Sequence, residues 1–78
     1  MTMAREIKVG KFYFYKDAGG IEFPIWVLCH AKDSSYILES SGEKFWIDDA
    51  FLHLVPIDRL DEVRKEFAQL PPFLPPRS

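Results

Sequence analysis

Cysteine is almost missing from this 78-residue chain: Cys29 stands alone. No internal disulfide can form, so the core must be built from ordinary side chains, and a lone thiol fits a reducing compartment where it is expected to be buried and inert. Long apolar runs are missing too. No stretch approaches the roughly 18 consecutive apolar residues of a membrane span, and the first residues carry no apolar core behind their charges, as a secretory signal would. A cytoplasmic protein with no membrane partner is the expectation. Charge excess is also absent: ten basic residues face twelve acidic ones, a formal charge of −2. Such a balance exerts no long-range pull on phosphate backbones or anionic lipid. Glycine is sparse, and its one adjacent pair, Gly19-Gly20, lacks the lysine-serine ending of a phosphate loop.

Aromatics are what the chain has instead. Seven Phe, three Tyr and two Trp make up 15% of it. Each can bury about 150–250 Å², which suits a single domain near the lower size limit for independent folding. Met1–Glu6 reads as a frayed, flexible start. Five short β segments follow: Ile7–Tyr15, Ile21–Ala31, Tyr36–Ser40, Lys44–Ile47 and Leu52–Pro56. Gly19-Gly20, Lys32-Asp33-Ser34-Ser35 and Ser41-Gly42 supply the turns between them. Asp48-Asp49-Ala50-Phe51 suits one turn of 3₁₀ helix before the last strand.

Beyond residue 57 the period changes. Leu60, Val63, Phe67 and Leu70 fall on one stripe of a helix spanning Arg59–Leu70, with Ile57 leading into it and Asp58 as its expected N-cap. Asp61 and Lys65 stand at a favourable spacing of four, and Pro71 should end the helix. Residues 71–78 read as an extended proline-rich tail.

Three pieces of residues 7–57 resemble SH3-like or Tudor-like small barrels: the opening Val9-Gly10-Lys11-Phe12-Tyr13, the central hairpin Ile25–Ala31 with Tyr36–Glu39, and the closing strand–3₁₀–strand Phe45–Val55. The resemblance implies a mainly β fold, a five-stranded SH3-like barrel with a 3₁₀ turn before the last strand, here followed by a C-terminal amphipathic α-helix. Barrels of this kind bind peptides, modified lysines, nucleic acids or partner subunits. The Tudor-like side of the resemblance implies that Tyr13, Tyr15, Trp26 and Tyr36 contribute to an aromatic cage for a cation.

Aromatics on both strand faces are the main functional signal. Phe12 and Phe14 alternate with Tyr13 and Tyr15; Trp26, Leu28 and His30 alternate with Ile25, Val27, Cys29 and Ala31. A barrel buries one face, so the other set is either covered by the helix or a second copy of the chain, or is a binding surface. Tyr13, Tyr15, Trp26, Tyr36 and Trp46 are the candidate binding residues. In the tail, Pro72-Phe73-Leu74-Pro75-Pro76-Arg77 matches the PxxPxR pattern read by aromatic-lined grooves, with Pro72, Pro75 and Arg77 as its key positions. Catalytic groups do not assemble. Cys29 and His30 are strand neighbours and point apart, two His and one Cys fit no common zinc spacing, and Asp48 and Asp49 read as amide caps. The sequence therefore points to a non-enzymatic interaction module without cofactor or metal, whose partner is another protein, a peptide or a second copy. The alternative is a nucleic-acid-binding barrel that uses Lys8, Lys11 and Lys16 beside stacking rings.

Overall fold

The computed structural model describes residues 6–68 and 70. Five strands form one antiparallel sheet: β1 (Phe12–Lys16), β2 (Glu22–Ala31), β3 (Ser34–Glu39), β4 (Lys44–Asp48) and β5 (Leu52–Leu54). Their spatial order is β4-β3-β2-β1-β5. Four chain neighbours thus pair as a meander, and β5 returns to lie along β1, with Tyr15 opposite Leu52 and Tyr13 opposite Leu54. Pairing runs from β4 to β5 without a ladder between those two outer strands, so the sheet is open in the hydrogen-bonding sense. One turn of 3₁₀ helix (Asp49–Phe51) precedes β5, where it was expected, and its cap is Asp48, which accepts from the Ala50 N–H at 2.9 Å.

The first strand starts later than its apolar run. Gly10 sits at φ +80°, a left-handed conformation that only glycine adopts freely, and this breaks the extended run between Ile7 and Phe12. The Gly10 N–H still donates to the Val27 carbonyl at 2.8 Å, so the segment stays tied to β2. At the β2–β3 turn, Lys32 is the one described non-glycine residue at positive φ (57°).

Strand alternation divides the apolar residues between two cores. Tyr13, Ile25, Val27, Ile37 and Leu52 fill one face, joined by Ile7 and flanked by Tyr15, Phe45 and Ile47. Phe12, Phe14 and Leu38 fill the other, where Val63 and Phe67 of α1 (Leu60–Phe67) pack on them. Leu60 and Leu70 flank this second core, so the predicted helical stripe is the docked one. The helix is the cover for the second face.

Three helix details differ from expectation. Asp58 does not cap: residues 57–59 form a second 3₁₀ turn, and α1 begins at Leu60 with no side-chain cap bond. Instead Arg59 ties the helix start to the sheet, lying 4.7 Å over the Phe14 ring and reaching Glu22 at 3.6 Å and Glu62 at 3.3 Å. The hydrogen bond that its Nε donates to Glu62 holds the guanidinium pKa above the ordinary arginine value. Ile57 points to solvent, 87% exposed, because the 3₁₀ turn has a different period from the helix it leads into. The α-helix also stops at Phe67: the Ala68 and Leu70 N–H groups donate three residues back, to Lys65 and Phe67, tightening the chain before Pro71 is reached. On the exposed helix surface Asp61 pairs with Arg64 at 3.7 Å.

Candidate interaction surface

The five rings singled out in the sequence do not converge. Tyr13 is fully buried in the first core, where its hydroxyl accepts from the Lys8 N–H at 3.0 Å. Trp26 is half-buried in the second core, its ring 4.7 Å from that of Phe12. Tyr36 lies opposite Trp46 across β3–β4, their rings 5.3 Å apart, and Trp46 is 52% exposed. Tyr13 and Tyr15 thus occupy one face of the sheet, Trp26 and Tyr36 the other. A sheet separates them, and no single cage can be made from the four. Pro72, Pro75 and Arg77 lie outside the described residues.

Among the described residues two aromatic patches remain at the surface. The Tyr36–Trp46 pair lies on the helix-side face. The larger group centres on Tyr15, on the face away from α1. Phe23 stacks beside it at 6.1 Å, while Phe45 and Phe51 meet it edge-on at 6.4 and 6.2 Å. Three elements besides β1 deliver these rings. Phe23 stands opposite Tyr15 at the start of β2, Phe45 comes from β4, and Phe51 from the 3₁₀ turn that Asp48 caps. Phe23 and Phe51 are exposed, the latter by 50%. Tyr15 was visible in the sequence as a candidate; Phe23 and Phe51 were missed. Neither stands out locally, since they meet Tyr15 only through strand pairing and the 3₁₀ turn.

A polar cluster was also missed. A bulge in β2 puts Val27 opposite Ile37 but Cys29 opposite Tyr36, which shifts the alternation by one residue at Leu28. His30 therefore joins the face of Ser35 and Val27, not that of Trp26. Its Nε2 meets Asp49 Oδ2 at 2.7 Å, and the fully buried Ser35 hydroxyl donates to Asp49 Oδ1 at 2.6 Å. The Asp49 N–H donates to the Asp33 carbonyl at 2.8 Å. Asp49 is thus a clamp between the 3₁₀ turn and the β2–β3 hairpin, not a cap. Its carboxylate stands between serine and imidazole, so the imidazole cannot take the serine proton as a nucleophile–base pair requires. The same bulge turns Cys29 outward, and it is exposed where a buried thiol was expected. His53, opposite Phe14, belongs to the face away from His30, so the two imidazoles do not approach.

Among the described residues no group of three or more His, Cys, Asp or Glu is placed to hold a metal ion, and no helix is long and apolar enough to cross a membrane. No protein-family model matches the chain, and no curated protein matches it.

Proposed function

We propose that this protein is a small non-enzymatic interaction module, an SH3-like barrel capped by its helix, that docks a protein or peptide on the rings around Tyr15. The observation that carries this reading is the exposure of Phe23 and Phe51 on either side of Tyr15, beside the buried core of the sheet face away from α1. Three elements hold the rings against one another, so little side-chain freedom is lost when a partner's apolar group settles on them. Aromatic side chains are enriched among the residues that dominate interface energies. Tyr36 and Trp46 provide a second, smaller patch on the opposite face. Tyr13 and Trp26 support the fold. A cytoplasmic setting suits the exposed Cys29 thiol, which stays reduced there.

The nucleic-acid alternative gains little from the geometry: Lys11 lies 5.7 Å over the Tyr13 ring, but that ring is fully buried and offers no face to a base. The test uses Phe51→Ala and Trp46→Ala, with fold checked by circular dichroism. Proteins captured from host lysate by the wild type are identified and then challenged with each variant. A partner lost with Phe51→Ala and kept with Trp46→Ala supports the Tyr15 patch. A partner kept by both, or binding that collapses with added salt as phosphate contacts do, overturns it. A second copy of the chain as the occupant would show as a dimer in sedimentation that Phe51→Ala abolishes.

A further inference from the structure

Strand β4 is an edge of the sheet: β3 pairs along one side of it, and no described strand pairs along the other. The register fixes which of its backbone groups face outward. The Glu39 N–H donates to the Glu43 carbonyl and the Asp49 N–H to the Asp33 carbonyl, both at 2.8 Å, so between these pairs Phe45 and Ile47 are the β4 residues bonded to β3. Lys44, Trp46 and Asp48 alternate with them and turn their backbone groups away from β3. Asp48 is the cap of the 3₁₀ turn, whose first bond takes up its carbonyl, but its N–H stays directed outward. Open edges are usually blunted by proline, a bulge or an unmatched charge. Here β4 has no proline, and its pairing with β3 runs without a register shift. Its lysine is matched by an aspartate, one at each end of the strand, with the half-exposed Trp46 midway between them.

That spacing makes the strand its own complement. When two copies of β4 lie antiparallel about a two-fold axis at Trp46, Lys44 of each copy faces Asp48 of the other, and Phe45 faces Ile47. The outward backbone groups fall on the same residues. The two Trp46 exchange both their bonds, and each Asp48 N–H donates to the Lys44 carbonyl opposite. A slip of one residue loses this match, and a slip of two sets a charge against Trp46. The side chains are available as well: Asp48 accepts from the Ala50 N–H through Oδ1, which leaves Oδ2, and among the described residues Lys44 stands in no ion pair. Opposite charges directly across two strands attract, and like charges there are destabilising. The other outer strand, β5, spans three residues and has no charge pair to set a register.

We propose that the β4 edge pairs with β4 of a second copy, so that one sheet runs through a symmetric dimer. On the helix-side face the Tyr36–Trp46 pairs of the two copies then meet as a single row of rings. Both copies use the same strand, so the contact closes on itself. Five residues a side fall far short of the about 20–30 of a standard interface, which makes the dimer a weak one, with a dissociation constant of about 10 μM to about 1 mM. It does not rest on the Tyr15 patch. The test follows the full chain by sedimentation and amide hydrogen exchange up to about 2 mM. Exchange of the Trp46 amide should slow several-fold as the dimer forms. Lys44→Glu and Asp48→Lys each set like charges opposite one another at both ends, and each should weaken association about tenfold. Mixing the two variants restores opposite charges and should restore association. Lys44→Glu changes an exposed side chain and keeps the Asp48 cap, so its result stands even where Asp48→Lys loses stability. The proposal is overturned by a monomer at every concentration, by a dimer that leaves the Trp46 amide unprotected, or by a dimer that Lys44→Glu does not weaken. A dimer abolished by Phe51→Ala belongs to the Tyr15 patch and overturns it equally. Protection of Trp46 that needs another protein assigns the edge to a foreign strand and overturns the second copy as occupant.

Discussion

Replacing Phe67 with alanine tests whether the helix completes the fold or merely decorates it. Phe67 is fully buried, its ring 5.1 Å from Phe12 on the sheet face that the helix covers. A phenylalanine side chain withdraws about 150–250 Å² from water, and at about 25 cal/mol per Å² that corresponds to about 4–6 kcal/mol as an upper estimate. Measured Phe-to-Ala core changes run at about 3–5 kcal/mol. Stability of about 0.05–0.15 kcal/mol per residue gives a chain of this length about 4–12 kcal/mol in total, so one substitution removes a large share. In urea melts followed by far-ultraviolet circular dichroism, with a slope of about 1–3 kcal/mol/M, the midpoint should fall by about 1 M or more. Glu66→Ala, one residue away and exposed, should stay within about 0.5 kcal/mol of wild type. A midpoint change under about 0.5 M for Phe67→Ala, with an unchanged slope, would falsify the account: Phe12, Phe14 and Leu38 would then not depend on the helix for cover.

Asp49→Ala strands the buried Ser35 hydroxyl and the His30 imidazole, and should cost about 1–3 kcal/mol in the same melt; a neutral result would mean the clamp contributes nothing. Gly10→Ala has room for its Cβ but not the backbone conformation, at φ +80°; it should lose about 1–2 kcal/mol, and a loss above about 3 kcal/mol would point to a steric clash that the geometry does not contain. Lys32→Gly relieves a side chain at φ 57° and should be neutral or stabilising by up to about 1 kcal/mol, read as a rise in melting temperature. Ile57→Ser, at a position 87% exposed, should leave stability within about 0.5 kcal/mol and thereby confirm that the leading isoleucine is no part of the helical stripe.

Some elements were legible because their signals are local. The β segments, the 3₁₀ turn before Leu52 and the stripe of Leu60, Val63, Phe67 and Leu70 follow from side-chain period and turn chemistry, which neighbouring residues carry among themselves. The bulge at Leu28 carries no comparable mark. It shifts the pleat by one residue, and with it His30 moved to the Ser35 face and Cys29 moved outward. The Asp58 cap failed for a related reason: a 3₁₀ turn occupies the residues where a helix start was expected, and the anchor became the non-local contact of Arg59 with Phe14 and Glu22.

By itself, then, the sequence determined that this chain builds a small aromatic-rich β domain followed by an amphipathic helix, because alternation and helical spacing are properties of adjacent residues. Only the tertiary structure decided which rings are core and which are surface. Phe12, Phe14 and Trp26 are packed with a helix that lies over 40 residues away in sequence from Phe14, whereas Phe23 and Phe51 stand exposed around Tyr15 on the other face, beside a core of Tyr13, Ile25, Val27, Ile37 and Leu52 that is fully buried without the helix. Burial depends on which strands and helix pack over each position, and no local pattern encodes that choice.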